Sequence, residues 1–333
     1  MLDKIKIILK NYTPSEDIRW KPKEVKNCPP TKYFYIAKIY NSNFSKKKFS
    51  LKLLLTADEK NDIFSLSING SIRKWYYQKN SRKDLNFKEF IDCIELIAKE
   101  LNTDVKTVLS GKVTQLEVGL TLLLKSEMRE INDCLVKYRN AEREVFEETT
   151  LYFKFVNYKL IFYDKFLEMN KNTIWSDIEE NVFKKFYFLR FEINAKKVSG
   201  MTFKNKFDTI EKIRNNWNML PSVIEKYIND IVFVDVISED KKIEINDYSD
   251  FVNYLTFLGI KKYGVLESIN LFGKSLNINN KSKKLEEFIN TYRTNVTNEF
   301  DFKAKLLVEL RKKLDRLYNK SNNIITKKLI NTL

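Results

Sequence analysis

The chain alternates apolar with polar residues over its first stretches and then changes period. "LDKIKIILKNY" and "KYFYIAKIYNSNF" read as strands, and "KFSLKLLLTADEKNDIFSLSINGSIRKWYY" as two more around the turn-prone "DEKND". In "NFKEFIDCIELIAKELNTDV", Phe87, Phe90, Ile91, Ile94, Ile97 and Ala98 recur mostly at steps of three and four, which predicts one apolar helix face capped by Asn86. "KVTQLEVGLTLLL" is again a strand, "EMREINDCLVKYRNAEREVF" a charged helical stretch, "TTLYFKFVNYKLIFYDKF" a hairpin and "KFYFLRFEINAKKV" a further strand. Beyond Gly200 the pattern turns helical, through "FKNKFDTIEKIRNNWNML" and "SDFVNYLTFLGI" to "KKLEEFINTYRTNVTNEFDFKAKLLVELRKKLDRLYNK". Gly259 and Gly264 divide "FLGIKKYGVLESINLFG" into short helices, "KSLNINNKSKK" is the candidate linker, and no internal repeat is evident.

The expected fold class is therefore α+β: an antiparallel-sheet domain over residues 1–200, then a mainly α-helical, basic C-terminal domain over 201–333. At 333 residues, with 43% hydrophobic and 14% aromatic content, the chain can build substantial cores. It has no apolar run long enough to span a bilayer, and its N-terminus is too charged for a signal peptide, so a cytoplasmic protein without membrane association is expected.

Two absences narrow the chemistry. Cys28, Cys93 and Cys134 are odd in number and far apart, which suggests neither a disulfide framework nor a zinc ligand set. There is no histidine, which excludes Ser-His and Cys-His nucleophilic machinery and any imidazole base or metal ligand. Chemistry must come from carboxylates, tyrosine, lysine or arginine.

The net charge of +16 is unevenly placed. Residues 1–50 carry 12 Lys+Arg against 4 Asp+Glu, and residues 251–333 carry 16 against 7, so 51–250 is nearly neutral with 32 against 33. Basic flanks around a balanced centre suit a polyanion held by the flanks, while the centre keeps acids for metal or structure. A lysine-rich solvated surface has the same composition.

Side chains on a strand alternate between the two sheet faces. Gln115 and Glu117 share a side, as do Tyr163 and Lys165, and as do Arg190, Glu192 and Asn194. If these stripes face one way, they gather two carboxylates, a tyrosine, a lysine and an arginine, the inventory of metal-assisted phosphoryl transfer. The alternative is a wet sheet face on which Glu117 and Glu192 simply pair with Lys165 and Arg190. The aromatics Trp75, Tyr76 and Tyr77, interleaved with Arg73, Lys74 and Lys79, would suit stacking on unpaired bases or one buried strand face. "FGKS" at 272–275 is not a phosphate loop, because Ser268 stands where the first glycine is required.

Four segments stand in the order and approximate spacing of one known family. They are "INGSIRKWYYQKN" with the helix after it, "VTQLEVGLTL", "LIFYDKFLE" and "FLRFEINAKK", spanning roughly residues 62–200. In this the chain resembles the rolling-circle replication initiators of the filamentous-phage II/X type and their plasmid relatives. The resemblance implies a nuclease-like sheet domain that nicks one strand of origin DNA, single-stranded or in a hairpin, with Mg or Mn. It makes Tyr163 the nucleophile, Lys165 its cationic neighbour, and Glu117 and Glu192 the metal ligands. Arg190 would orient Glu192 or contact DNA, with Arg73, Lys74, Tyr77, Lys79 and Asn80 as further DNA contacts and host replication proteins as possible partners. Glu168 also fits the pattern. If Tyr163 were not the nucleophile, Tyr158 or Tyr187 would inherit the role. The chain departs from the pattern at Gln115, where arginine is usual, at Glu117, where aspartate is usual, and at Tyr77–Asn80, where many relatives carry histidine. A non-catalytic, DNA-binding descendant is the alternative these departures leave open.

Overall fold

The computed structural model describes residues 1–333 except 27–28, 61–62, 148, 172–173, 235–238, 241–243, 264–266, 269–270, 272–280, 295, 298–301 and 331–333. Cys28, Gly264, the "FGKS" segment, most of the candidate linker and part of the "DEKND" turn lie outside the described residues.

Ten strands form one antiparallel sheet: β1 (Leu2–Lys10), β2 (Lys21–Pro22), β3 (Lys32–Tyr40), β4 (Ser50–Asp58), β5 (Ile63–Ser71), β6 (Lys112–Lys125), β8 (Glu142–Phe146), β9 (Thr150–Lys154), β10 (Tyr158–Asp164) and β11 (Phe186–Ala195). Their spatial order is β2-β3-β4-β5-β1-β6-β11-β10-β9-β8. The order reads alike in both directions from the β1/β6 seam. On one side β1 meets the last strand of the meander β3–β4–β5, and on the other β6 meets the last strand of β9–β10–β11. The chain thus repeats a topology although no repeat is evident in its sequence.

One sheet face is covered; the other is open over β1, β3, β4 and β5 but buried at Arg190 and Glu192 of β11. In β4, Leu51, Leu53, Leu55 and Ala57 are buried while Lys52 is exposed, and the alternation continues in β1 and β5. The helix α2 (Phe87–Glu100) belongs to the covered layer. Asn86 accepts from the Glu89 N–H, and Glu89 accepts from the Asn86 N–H, a capping box that fixes the helix start. Phe90, Ile94, Ile97 and Ala98 then face the core, each large side chain contributing on the order of 2 kcal/mol by leaving water.

Tertiary context overrides the sequence pattern in several places. The strand expected to run through Trp75 ends at Ser71, whose hydroxyl caps the short helix α1 (Ile72–Tyr77); Gln78, at φ 50°, closes it. The stretch expected to be helical after β6 is helical only over residues 126–134. It then forms the strand β7 (Leu135–Tyr138), paired with β12 (Ile231–Phe233), and β8, paired with β9. Gly259 does not break its helix, which is continuous over Tyr248–Tyr263 with open space where a Cβ would stand.

The C-terminal part is only partly helical, and the expected division at residue 200 does not coincide with a break in the core. Phe203, Ile224, Phe302, Leu306, Leu310 and Leu314 join the same buried cluster as β1 and β6. A small second cluster joins Val136 and Val234 to Phe257, Ile260, Ile289 and Tyr292. No helix among the described residues is long and apolar enough to cross a membrane.

Candidate functional site

The register brings the three polar stripes to one face. Thr121, Arg190 and Tyr163 are cross-strand neighbours; so are Gly119, Glu192 and Ile161, and so are Glu117, Asn194 and Lys159. Gly119 makes room for this arrangement: a Cβ there would lie 2.4 Å from the Phe191 carbonyl oxygen and 2.8 Å from Glu192 Cγ.

A third acid joins from β1. Leu2 pairs with Val118 and Ile5 with Leu116, so Asp3 and Lys4 together stand against Glu117, a β-bulge. Asp3 is thereby buried beside the two glutamates, and one carboxylate oxygen from each of Asp3, Glu117 and Glu192 lies within 4.8 Å of the others.

Because β6 runs past the start of β1, its free edge is satisfied otherwise. The Gly119 N–H donates to the Met1 carbonyl and the Thr121 N–H donates to Asp84. Asp84, on the loop between α1 and α2, receives Arg190 Nη1 at 2.5 Å and Lys313 Nζ at 2.9 Å, the latter from the long helix Phe302–Ile330.

Arg190 is the hub. Its side chain is 0% exposed, and it donates to Asp84, to Asp3 at 3.0 Å and through Nε to Glu192 at 2.9 Å. Arg73 is equally buried and meets Asp3 at 2.6 Å. Both guanidiniums are buried against carboxylates: Arg190 meets Glu192, as one of its two expected roles requires, and Arg73, expected at DNA, is turned inward to Asp3. Three cations, Arg73, Arg190 and Lys313, meet three anions, Asp3, Asp84 and Glu192. Burial alone would raise the Asp3 and Asp84 carboxyls, but Arg190 with its companion cations outweighs it and holds both low.

Glu117 would be the fourth anion. Burial, then the Glu192 and Asp3 carboxylates, push it up to about 8, so near neutral pH it largely keeps its proton while accepting from Asn194 at 2.8 Å. The Tyr163 hydroxyl donates to Glu192 Oε1 at 3.0 Å, and burial together with the Glu192 carboxylate raises its pKa well above the ordinary value. The tyrosine borders a cavity of about 440 Å³ lined also by Thr150, Leu167, Glu168, Lys171 and Trp175.

Lys165 lies beside this group but not on the strand. β10 ends at Asp164, whose carboxylate caps the short helix Lys165–Asn170 by accepting from the Phe166 and Leu167 N–H groups. The Lys165 ammonium is buried, bonded to Glu168 at 2.6 Å and Asn80 at 3.3 Å, and 5.7 Å from the Tyr163 ring. Burial lowers its pKa despite Glu168. The simple pairing of Glu117 with Lys165 is absent; that of Glu192 with Arg190 is present.

The remaining expected contacts divide. Lys79 is exposed, Asn80 half-buried, and Lys74 reaches Glu168 at 3.8 Å. Tyr77 donates to Glu89, and Trp75 is buried with its indole N–H on the Ile39 carbonyl, so Trp75 offers no face to a base. Gln78 is fully used by the Lys48, Phe49 and Trp75 backbone. Tyr158 stacks on Phe155, and Tyr187 is buried on the covered side of β11, so neither is at the site. Cys93 and Cys134 are buried and not joined in a disulfide.

The donor set fits a hard divalent cation. All three candidate ligands are carboxylates, and Glu117 Oε1 and Glu192 Oε2 accept no hydrogen bond among the described residues. An ion of charge +2 would let Glu117 ionise and leave the cluster with one net positive charge. Comparison with protein-family models, curated proteins and solved structures finds no match to this chain.

Proposed function

We propose that this protein is a replication initiator that nicks one DNA strand through Tyr163, leaving a 5′-phosphotyrosine link and a free 3′-OH. One observation carries the reading: the Tyr163 hydroxyl donates to Glu192 within a buried group of three carboxylates organised by Arg190.

Tyr163 is a poor nucleophile while protonated, and its surroundings make it poorer. Glu192 Oε1 is placed to take the phenol proton as the tyrosine oxygen attacks phosphorus. The phosphorus–O3′ bond breaks as the new bond forms, and the departing oxygen takes a proton from water. Arg190 keeps Glu192 aimed at the hydroxyl, while the Lys165 ammonium adds positive charge nearby. Mg or Mn held by Asp3, Glu117 and Glu192 would polarise the scissile phosphate. The phosphotyrosine retains the energy of the phosphodiester, so the same group can reseal the strand.

The test is covalent capture. Wild type and Tyr163→Phe are incubated with single-stranded origin oligonucleotides and Mg²⁺ or Mn²⁺, then run on a denaturing gel. A DNA-linked band lost in the variant is expected. A band retained in Tyr163→Phe removes the assignment, and no band in either, with salt-sensitive binding, supports the non-catalytic reading.

A further inference from the structure

The site occupies one half of this sheet face, where it is buried, and the other half is exposed and carries a different pattern. Reading across the register, Lys38, Lys52, Asn69, Lys6 and Gln115 stand in one row over five strands. The next row is Ile36, Leu54, Ser67, Ile8 and Lys112, and Lys10 stands opposite Ser65 one row further. All these side chains are exposed or half-buried, whereas their neighbours along each strand are mostly in the core.

Two features mark this face as built for a polyanion. Lys38 and Lys52 are directly opposite each other, an arrangement that weakens a strand pair by a few tenths to about 1 kcal/mol. Among the described residues no ion pair relieves it, and Asp58, at the far end of β4, meets Lys32 at 3.8 Å. Lys6, Lys10, Lys38, Lys52 and Lys112 form no ion pair among the described residues. Between the lysines lie uncharged side chains, polar Asn69, Ser67 and Gln115 and aliphatic Ile36, Leu54 and Ile8, none of them acidic. Phosphates spaced along a strand would neutralise such rows without reading sequence.

The face continues into the site. Lys4 stands against Glu117 at the bulge, and β6, β11 and β10 follow. Six strand steps of about 4.8 Å separate β3 from β10, so a strand lying across the sheet would cover about 29 Å before reaching Tyr163.

We propose that the open face of β1, β3, β4 and β5 is a track for single-stranded DNA, gripping through Lys6, Lys38 and Lys52 the strand that Tyr163 attacks. It rests on the reading of Tyr163 as a DNA nucleophile only for the direction in which the track leads.

The test compares wild type, the triple variant Lys6→Gln, Lys38→Gln, Lys52→Gln, and a control, Lys99→Gln, Lys106→Gln, Lys226→Gln, whose lysines lie on the helical layer. Affinity for a fluorescent single-stranded oligonucleotide is measured against salt, and covalent capture is run in parallel at low salt. The slope of log K against log salt should fall by about 0.7 per lysine, hence by about 2, in the track variant and much less in the control. Its thermal midpoint should not drop, since the change removes repulsion. An unchanged slope, an equal loss in the control, or binding of anionic vesicles in place of DNA overturns the track. If the slope falls but wild type gives no adduct, nicking fails and the track stands; an adduct with an unchanged slope means the reverse.

Discussion

Replacing Glu117 by glutamine should make the protein more stable at slightly alkaline pH, although it removes a candidate metal ligand. Glutamine keeps an oxygen for Asn194 Nδ2, so the 2.8 Å hydrogen bond can survive. What disappears is a titration. The Glu117 carboxyl is raised from an ordinary 4.5 to about 8, so the native state holds a proton that the unfolded chain gives up above about pH 4.5. The stability tied to that proton is complete below 4.5 and drains away as pH rises toward 8. At about 1.4 kcal/mol per pH unit the full interval is worth on the order of 5 kcal/mol, and roughly half that where water reaches a half-buried side chain. The Met1 amino group, pushed down to about 5 by burial, works in the opposite sense over the same range. The informative quantity is therefore the difference between variant and wild type. Urea unfolding of both proteins from pH 4.5 to 8.5 should give nearly equal stabilities at the acid end and a variant more stable by about 2–5 kcal/mol at the alkaline end. Mg²⁺ at pH 8 should narrow the gap by stabilising wild type alone. A gap that stays constant across the range would refute the crowding of carboxylates around Glu117.

Asp3→Ala takes one partner from two fully buried guanidiniums, Arg73 and Arg190. A loss of about 3–5 kcal/mol at pH 7 is expected in urea unfolding, and a loss under 1 kcal/mol would mean that Asp84 and Glu192 suffice. Gly119→Ala forces a methyl to within 2.4 Å of the Phe191 carbonyl at the β6/β11 pairing. It should cost about 2–4 kcal/mol and loosen amide-exchange protection at Phe191 and Glu192, whereas a neutral outcome would show the two strands free to separate.

What could be read in the sequence follows from which interactions are local. Asn86 and Glu89 form their capping box within one turn, so the start of α2 was legible. The β9–β10 hairpin and β11 were legible from alternation. Residues 135–146 were not, because "LVKY" and "EREVF" become strands only against β12 and β9, partners distant or still undefined when the stretch is read. Lys165 was misplaced by extending the alternation one residue past Asp164, a residue type that caps helices.

The site divides along the same line. Glu117, Tyr163, Arg190 and Glu192 lay on strands whose stripes could be read, and their common face required only the register. Asp3 left a fainter trace: the buried apolar positions of β1 are 2, 5, 7 and 9, and the step of three between Leu2 and Ile5 is where the bulge falls. Asp84 left none, since a loop acid acquires its role only when Arg190 and Lys313 arrive from 106 and 229 residues away. The charge profile gains a physical meaning from this geometry. Lys4, Lys6, Lys10 and Lys38 account for part of the basic first fifty residues and stand on the open face, while Lys313, from the basic C-terminal stretch, is turned inward to Asp84. Lysines from the two flanks are therefore used differently: these four stand on the open face, and Lys313 helps balance the anions that hold Arg190 in place.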